Sequence, residues 1–372
     1  MDFKFKIGTK VYFGKNAVLD NREIFKTYGN KALIVTGSKS GKMSGALKHV
    51  TNIFEEFGIQ FDIFDRVENN PTLNNVKEGS EAAIKLNADF IVGIGGGSPL
   101  DASKAIAVLA QNEIEPINLF ENTFSNKPLP IIAIPTTAGT GSEVTPYSIL
   151  TRDDIRTKMS FGNEDTFPVI AFADPSYTES MNLETTVDTA LDAFSHAMEG
   201  YLSKRSTPVS DILAIEAIRI FGNCINSLIS RNISYDIREK LLYVSMLGGM
   251  VISHTGTTII HGLGYSLTYF KKIPHGRANA LIMEEYLKYN YEVAEEKINN
   301  ILSAISISSI IEFGEIINRL VPNKVVLSDE EIEIYTSITM KQKSTLYNVR
   351  QVEKNHLSNI LKKCFLGGIQ ND

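Results

Sequence analysis

The chain has 372 residues, of which 43% are hydrophobic and 22% are charged, and its 37 basic and 43 acidic side chains leave a formal net charge of −6. This composition is typical of a globular protein, argues against a disordered chain, and at this length favours two domains. The mild acidic excess disfavours nucleic acid and anionic membranes as partners, and the two cysteines, Cys224 and Cys364, are too few for a disulfide framework or a cysteine-based zinc site.

The N-terminal sequence and the low cysteine content predict a cytoplasmic protein. The first ten residues, MDFKFKIGTK, alternate charge and bulk and lack the apolar core of a signal peptide. No apolar run approaches the roughly 20 residues that a membrane helix needs. A reducing compartment is the expected location of a chain without a disulfide pattern.

The first half of the chain alternates short apolar runs with segments of helical periodicity, which predicts a parallel sheet with helices on both faces. Thr72 is expected to cap one of the helices at its N-terminus, and Gly58 to end another. The predicted strands cover 31–37, 61–66, 89–97, 130–137, 146–151 and 169–174, and the predicted helices cover 44–58, 72–87 and 99–111.

After about residue 178 the strand patterns nearly vanish and helical spacing takes over. We therefore predict an α/β domain over 1–178 and an all-helical domain over 179–372. The helical stretches cover 185–203, 207–230, 234–252 and 256–268.

Three glycines and a serine, Gly95 to Ser98, stand between a predicted strand and a predicted helix. Backbone amides can approach phosphate oxygens there because no Cβ blocks them, and the helix N-terminus adds partial positive charge. A plain turn needs fewer glycines, so phosphate binding is favoured over a purely structural role. The pattern is not G-x-G-x-x-G and follows the third strand, which weakens the case for a standard Rossmann arrangement.

A second loop, PTTAGTGSEVT (135–145), is dense in hydroxyl groups and glycine. Thr136, Thr137, Thr140 and Ser142 could hydrogen-bond a ribose or a phosphate at the carboxyl end of the sheet. Composition alone fits a polar surface loop equally well.

Four side chains form a candidate metal site. Asp192 and His196 are four residues apart in a helical segment, so they share one face, and the apolar neighbours of Asp192 favour a cation partner for its carboxylate. His261 and His275 each precede a glycine. One carboxylate and three imidazoles suit Fe²⁺ or Zn²⁺ rather than Mg²⁺ or Ca²⁺. The alternatives are a solvated Asp–His pair and ordinary core or surface histidines; for His254, packing is favoured over orienting a ligand.

In combination these motifs resemble the iron-containing (group III) alcohol dehydrogenases over nearly the whole chain. The resemblance implies an α/β dinucleotide-binding domain with a parallel sheet over 1–178, an all-helical metal-binding domain over 179–372, and an active site between them, the fold shared with dehydroquinate synthase. The motifs are KVYFGKNAV (10–18), NPT (70–72), GGGSPLDASKA (95–105), PTTAGTGSEVT (135–145), DAFSHAMEGY (192–201) and HGLGYSLTYFKKIPHGRAN (261–279).

Matched position by position, the resemblance also implies the site residues. The metal ligands would be Asp192, His196, His261 and His275. The pyrophosphate would lie at Gly96, Gly97 and Ser98, with Asp101 beside the nicotinamide, and the other cofactor contacts would be Asn70, Thr136, Thr137, Thr140 and Lys158.

Two positions depart from the family pattern. Many members carry a second histidine four residues after the third ligand, where this chain has Tyr265. A tyrosine ordinarily titrates near pH 10, so Tyr265, although placed among the catalytic residues, is a poorer proton relay at neutral pH. NAD-preferring members carry an aspartate after the first strand, where this chain has Gly37 and Ser38, followed by Lys39. The lack of an acid there predicts NADP(H) as the preferred cofactor and NAD(H) as the alternative.

The expected activity is reversible hydride transfer between NADP(H) and a small primary alcohol or aldehyde of the butanol or 1,3-propanediol type. The expected metal is Fe²⁺, with Zn²⁺ as the alternative, and the expected assembly is a homodimer. The alternatives are a glycerol dehydrogenase-like or dehydroquinate synthase-like metal enzyme using NAD, and a non-catalytic nucleotide-binding protein. A lyase with a phosphorylated substrate would need cations, and only Lys271, Lys272 and Arg277 lie near His275 in the sequence.

Overall fold

The computed structural model describes residues 2–365, whose contacts divide into two compact units. One unit consists of Lys6–Asn182 and Ser234–Leu242 and contains the β-strands. The other consists of 2–5, Leu183–Ile233 and 243–365 and is helical. A parallel-sheet N-terminal part with a helical C-terminal half confirms the predicted fold class, whereas the domain bounds 1–178 and 179–372 stay a prediction.

Among the described residues, six strands of the first unit form one parallel sheet in the order β1-β8-β5-β4-β2-β3. Strands β6 and β7 form a separate antiparallel pair. The strands are β1 (Lys10–Phe13), β2 (Lys31–Gly37), β3 (Gln60–Val67), β4 (Phe90–Gly95), β5 (Ile131–Pro135), β6 (Ser148–Arg152), β7 (Thr157–Phe161) and β8 (Ile170–Ala173).

The helices of this unit pack on both faces of the sheet. Alternate residues of β2 point to opposite faces: Ile34 packs with Phe54 in one hydrophobic cluster, and Leu33 packs with Ile106 in the other. The helices are α1 (Ala17–Asp20), α2 (Ser40–Met43), α3 (Ala46–Phe57), α4 (Leu73–Leu86) and α5 (Gly97–Leu109), and single 3-10 turns cover Arg22–Thr27, Pro116–Glu121, Ser142–Val144, Asp153–Ile155, Glu164–Thr166 and Pro175–Thr178.

The chain changes direction across the sheet between β2 and β4. After β2 it adds β3 on one side, then returns to place β4 on the other side, and continues outward to β5. The carboxyl ends of β2 and β4 are neighbours, since Thr36 pairs with Ile94. Parallel α/β sheets bind ligands at such a switch point. The glycine turn after β4 and the Gly37–Ser38 segment after β2 therefore lie at the same edge of the sheet.

The local predictions for this half are largely confirmed. The Thr72 hydroxyl accepts a hydrogen bond from the Asn75 backbone N–H at 3.2 Å at the start of α4. Gly58 ends α3 with a left-handed φ of 68°. The strand predicted over 146–151 belongs to the separate β6–β7 pair. Neither β1 nor β7 was predicted, because these short strands are only partly buried and carry no continuous apolar run.

The second unit is built around α6, which is buried from Leu191 to Tyr201. The ring of Phe194 stacks on Phe221 of α7 at 4.4 Å between centroids and packs against Phe313 of α12 at 5.9 Å. The helices are α6 (Leu183–Tyr201), α7 (Pro208–Ser230), α8 (Tyr235–Thr255), α9 (Ile259–Lys271), α10 (His275–Ala280), α11 (Met283–Ala304), α12 (Ile310–Leu320), α13 (Asp329–Thr339), α14 (Ser344–Tyr347) and α15 (Lys354–Phe365); the part of α8 up to Leu242 belongs to the first unit.

Among the described residues, α7 is the one helix whose length and apolar composition would allow it to cross a membrane. These two properties are weak evidence, because core helices of globular proteins share them. Ala217, Phe221 and Cys224 on α7 are buried against other parts of the protein.

Candidate metal and nucleotide sites

Helix α6 carries two of the predicted metal ligands. Asp192 and His196 lie one turn apart on this buried helix and are 4% and 5% exposed. The helix is apolar around them, so both polar side chains lie in a low-dielectric environment where each needs a partner.

The other two predicted ligands lie at the starts of helices. His261 is in the first turn of α9, and His275 is the first residue of α10, directly after Pro274. Gly276 lets α10 pack against the backbone of α6, because a Cβ at this position would overlap the carbonyl oxygen of Asp188. The glycine after His275 thus brings that imidazole next to Asp192.

The structure brings the four side chains together. Asp192 Oδ1 lies 3.7 Å from His261 Nε2 and 3.9 Å from His275 Nε2, and the three ligand atoms all lie within 4.8 Å of one another. His196 Nε2 lies 2.9 Å from His261 Nε2, which joins the fourth side chain to this cluster. Nitrogen and carboxylate oxygen atoms at these separations can surround one divalent ion.

The electrostatics of the cluster favour a cation. Burial raises the pKa of Asp192, but the charges of His196, His261 and His275 outweigh it and hold the pKa below its usual range. Burial lowers the pKa of His261, but Glu199 and Asp192 outweigh it and raise the pKa to about 9. The two buried carboxylates, Asp192 and Glu199, therefore favour positive charge among the three imidazoles, which a divalent ion would supply.

Glu199 was missed by the sequence analysis. Its buried carboxylate contacts His261 Nδ1 and accepts hydrogen bonds from the backbone N–H groups of Thr258 at 2.9 Å and Ile260 at 3.1 Å. Holding Nδ1 leaves Nε2 of the same ring directed at the cluster, as for metal-binding histidines with a carboxylate partner. The spacing 192, 196, 199 on one helix face was the available signal.

Asn279 was also missed. Its Nδ2 donates to Asp192 Oδ1 at 3.0 Å and lies 3.2 Å from His261 Nε2 and 3.4 Å from His275 Nε2. Gly264 provides the space for this side chain, because a Cβ there would overlap Asn279 Oδ1. Asn279 is four residues after His275, so it shares a face of α10 with that histidine.

Tyr265 packs on two of the imidazoles. Its ring stacks on His275 with 5.1 Å between centroids and 12° between planes, and it meets His261 edge-on at 6.2 Å. His254, in contrast, stacks on Phe5 at 4.1 Å. The ring of Tyr265 thus forms part of the wall of the candidate metal site.

The glycine turn of the first unit follows β4 and begins α5. Gly95 has a φ of +152°, which side chains rarely tolerate. A Cβ at Gly96 would lie 3.1 Å from the Thr137 side chain, and one at Gly97 would lie 2.6 Å from Thr140. The glycines therefore have a packing role beside the predicted phosphate role, because the 135–145 loop rests directly on them.

The remaining predicted cofactor residues lie around this turn. Ser98 Oγ accepts a hydrogen bond from the backbone N–H of Asn70 at 3.1 Å. Asp101 is 9% exposed and its carboxylate is held by Ser142 and the backbone of Ile149. Thr136 is buried, Lys158 on β7 is partly buried and its charge acts on Asp101, and Gly37 and Ser38 follow β2 at the same sheet edge.

Comparison with known proteins gives a consistent result along the chain. The profile of iron-containing alcohol dehydrogenases matches residues 8–175, and the profile of the C-terminal part of the Fe-containing alcohol dehydrogenase family matches residues 186–365. The 1,3-propanediol dehydrogenase of Citrobacter freundii is 33% identical over 306 residues, which cover 80% of this chain and 78% of the relative. The NADPH-dependent butanol dehydrogenase of Clostridium saccharobutylicum is 26% identical, covering 98% of each chain.

The same fold occurs in a solved structure. An iron-containing alcohol dehydrogenase from Thermotoga maritima superposes with a TM-score of 0.92 and 38% identity, covering 98% of this chain and 99% of that one. The family resemblance, the fold class and the oxidoreductase activity predicted from the motifs are confirmed by these matches. The chain belongs to the iron-containing alcohol dehydrogenase family.

Proposed function

We propose that this oxidoreductase transfers a hydride between NADP(H) and a small primary alcohol or aldehyde of the butanol or 1,3-propanediol type. The observation that carries the proposal is the convergence of Asp192, His261 and His275 in one cluster, in which Asp192 and His261 are buried and His275 is partly buried, with His196 against His261. Two of the relatives bear names that specify such alcohols, and one of these names also specifies NADPH.

The proposed metal ligands are Asp192, His196, His261 and His275, with Fe²⁺ as the resident ion and Zn²⁺ as the alternative. When bound, the ion supplies Lewis-acid activation of the alcohol oxygen, and the nicotinamide accepts or donates the hydride. The chain's own part is to fix the ligands: Glu199 orients the His261 ring, and the Tyr265 ring packs on His275. Because Glu199 and His261 are buried, this pair loses little freedom when the ion binds.

The proposed nucleotide site lies in the first unit, at the switch point between β2 and β4. Backbone N–H groups of Gly96, Gly97 and Ser98 would hold the pyrophosphate, and Asn70, Asp101, Thr136, Thr137, Thr140 and Lys158 would form the rest of the site. Ser38 and Lys39 are exposed after β2, and residues 37–40 include no acid that would repel a 2′-phosphate. This supports NADP(H) over NAD(H) as the preferred cofactor.

A dehydroquinate synthase-like reaction on a phosphorylated substrate is less well supported. Lys271 is paired with Glu331 at 2.6 Å, and Arg277 is paired with Asp188 at 3.0 Å. Lys272 lies over the ring of Tyr269 at 5.0 Å. These three cations near His275 are thus engaged within the protein, which weakens the case for a phosphorylated substrate.

The other properties proposed for the protein follow from its sequence and family. We propose a cytoplasmic homodimer with a dinucleotide-binding domain over 1–178 and a metal-binding domain over 179–372, and with neither nucleic acid nor membrane as a partner.

The test is anaerobic purification with elemental analysis, followed by assays with NADPH and NADH against butyraldehyde, 3-hydroxypropionaldehyde and lactaldehyde. We expect one divalent ion per chain, higher kcat/KM with NADPH, and activity with at least one of these aldehydes. His261→Ala should lose metal and activity together, whereas Lys85→Met, on an exposed part of α4, should change neither. A folded His261→Ala protein that lacks metal and remains fully active would contradict the proposal.

A further inference from the structure

The first unit buries a lysine. Lys104 is on α5, two turns after the glycine turn, and its side chain has no exposed area. Its Nζ donates hydrogen bonds to the carbonyl oxygen of Tyr147 at 2.6 Å, to Ser142 Oγ at 2.7 Å and to Thr145 Oγ1 at 3.4 Å. One ammonium group on α5 thus holds the end of the 135–145 loop at Ser142 and Thr145, and also Tyr147, two residues beyond that loop.

Asp101, one turn earlier on α5, complements this arrangement. Its Oδ1 accepts a hydrogen bond from Ser142 Oγ at 2.5 Å and lies 3.6 Å from Lys104 Nζ, and its Oδ2 accepts from the Ile149 N–H at 3.1 Å. Ser142 therefore lies between the two charged groups, accepting from Lys104 and donating to Asp101. The helix and the 142–149 segment are joined by charge-assisted hydrogen bonds rather than by apolar packing alone.

This network is costly for the fold. Burial lowers the pKa of Lys104 to about 8 although Asp101 and Glu143 raise it, and burial raises the pKa of Glu143 to about 7. Glu143 is 1% exposed, and among the described residues its Oε1 has no hydrogen-bond partner. Buried charges of this kind often add less stability than well-packed apolar side chains would.

The loop that the network holds shapes the glycine turn. Thr137 and Thr140, on the same loop as Ser142, pack against Gly96 and Gly97 so closely that a Cβ at either glycine would contact them at 3.1 Å or less. A shift of the loop would therefore change the surface that the glycine turn presents to a phosphate.

We propose that Lys104 is a positioning residue for nucleotide binding: by holding Ser142, Thr145 and Tyr147 it fixes the 135–145 loop on the glycine turn. The inference rests on the proposed nucleotide site. It concerns a residue that would not touch the nucleotide, so its removal should weaken nucleotide affinity more than turnover.

The experiment compares metal-loaded wild type, Lys104→Met and Ser142→Ala, with Lys85→Met as a control on the exposed side of α4. Titration with NADPH gives Kd, steady-state kinetics give KM and kcat, and hydrogen exchange reports on the 136–149 amides without nucleotide. For Lys104→Met we expect Kd and the KM for NADPH to rise at least tenfold, kcat to fall less than threefold, metal content to stay unchanged, and the 136–149 amides to exchange faster. Lys85→Met should match wild type.

A folded Lys104→Met protein whose NADPH Kd is within twofold of wild type would overturn the inference. This holds even if its Tm fell, because Lys104 would then stabilise the fold without positioning the loop for the nucleotide. If Lys104→Met does not fold, Ser142→Ala decides. A rise in Kd of threefold or more, together with faster exchange of the 136–149 amides without nucleotide, supports the inference. An unchanged Kd, or a rise in Kd without faster exchange, overturns it. Wild type that binds neither NADPH nor NADH would overturn both this inference and the proposed function.

Discussion

Replacing Glu199 by glutamine changes the hydrogen-bond partner of the His261 ring, one of the proposed metal ligands, with little change in side-chain volume. In the native protein the Glu199 carboxylate contacts His261 Nδ1, so Nδ1 carries a proton and Nε2 is the ring nitrogen that faces the other proposed ligands. A glutamine can still accept from the Thr258 and Ile260 N–H groups, which Glu199 binds through Oε1. Its amide N–H₂ would then face Nδ1, which favours the tautomer with the proton on Nε2.

The expected loss follows from that change of tautomer. Replacing such a carboxylate partner typically costs about 10- to 100-fold in metal affinity, or about 1.4 to 2.7 kcal/mol. A loss within this range is expected here, because Glu199 is fully buried and a hydrogen bond to a charged group is stronger in a low-dielectric interior. Truncation to alanine would be less informative, because it would leave several buried donors at the start of α9 unsatisfied and could unfold that helix.

The assay measures the affinity of the protein for a metal ion rather than its enzymatic activity. Competition of Zn²⁺ between the protein and a chromogenic chelator gives Kd for wild type, Glu199→Gln, and Glu184→Gln as a control at an exposed position of the same helix. We expect Kd to rise 10- to 100-fold for Glu199→Gln and to stay unchanged for Glu184→Gln. A folded Glu199→Gln protein with wild-type affinity for Zn²⁺ would refute the orienting role.

Three further predictions concern cofactor choice, the site wall and pH. Gly37→Asp should lower the NADPH-to-NADH ratio of kcat/KM at least 30-fold by like-charge repulsion, whereas Gly37→Ser should not change this ratio. The new side chain fits, because a Cβ at position 37 would lie 3.5 Å from its nearest neighbour. An unchanged ratio for Gly37→Asp would contradict the proposed NADP(H) preference. Tyr265→Ala should weaken metal binding about 2- to 10-fold by removing the ring stacked on His275, and Tyr265→Phe should not; equal losses in the two variants would assign the effect to the hydroxyl. Burial raises the pKa of Glu143 from 4.5 to about 7 in the folded protein. Between these two pH values the folded state therefore binds more protons than the unfolded state. The free energy of unfolding should fall as the pH rises through this range, by at most about 3 kcal/mol. Urea denaturation at pH 5 and pH 7.5 should show a smaller fall for Glu143→Gln, and an identical fall would exclude Glu143 as its source.

The grouping of the four proposed metal ligands could largely be predicted from the sequence, because they are rare residue types at informative spacings. Only six histidines occur in the chain, and Asp192 and His196 share a helix face. Glu199 was not found although it continues that face, because a glutamate among 43 acidic residues carries no compositional signal. Its role depends on the start of α9, which is 59 residues away along the chain.

The region of the proposed nucleotide site could be predicted from the sequence, but the contacts within it could not. Three consecutive glycines after an apolar run indicated a phosphate turn, and the position of that turn beside the end of β2 depends on the strand order. The packing of Thr140 on Gly97 and the contact of Lys104 with Ser142 join segments about 40 residues apart. Periodicity reports neighbours along one element, so contacts of this kind require the fold.

The most direct test of the metal site is anomalous diffraction at the absorption edge of the bound metal, on crystals of protein that elemental analysis shows to contain iron or zinc. We predict a single strong peak per chain, within coordination distance of Asp192, His196, His261 and His275. An anomalous peak elsewhere in the protein, with no peak within coordination distance of these four side chains, would contradict the assignment of the site.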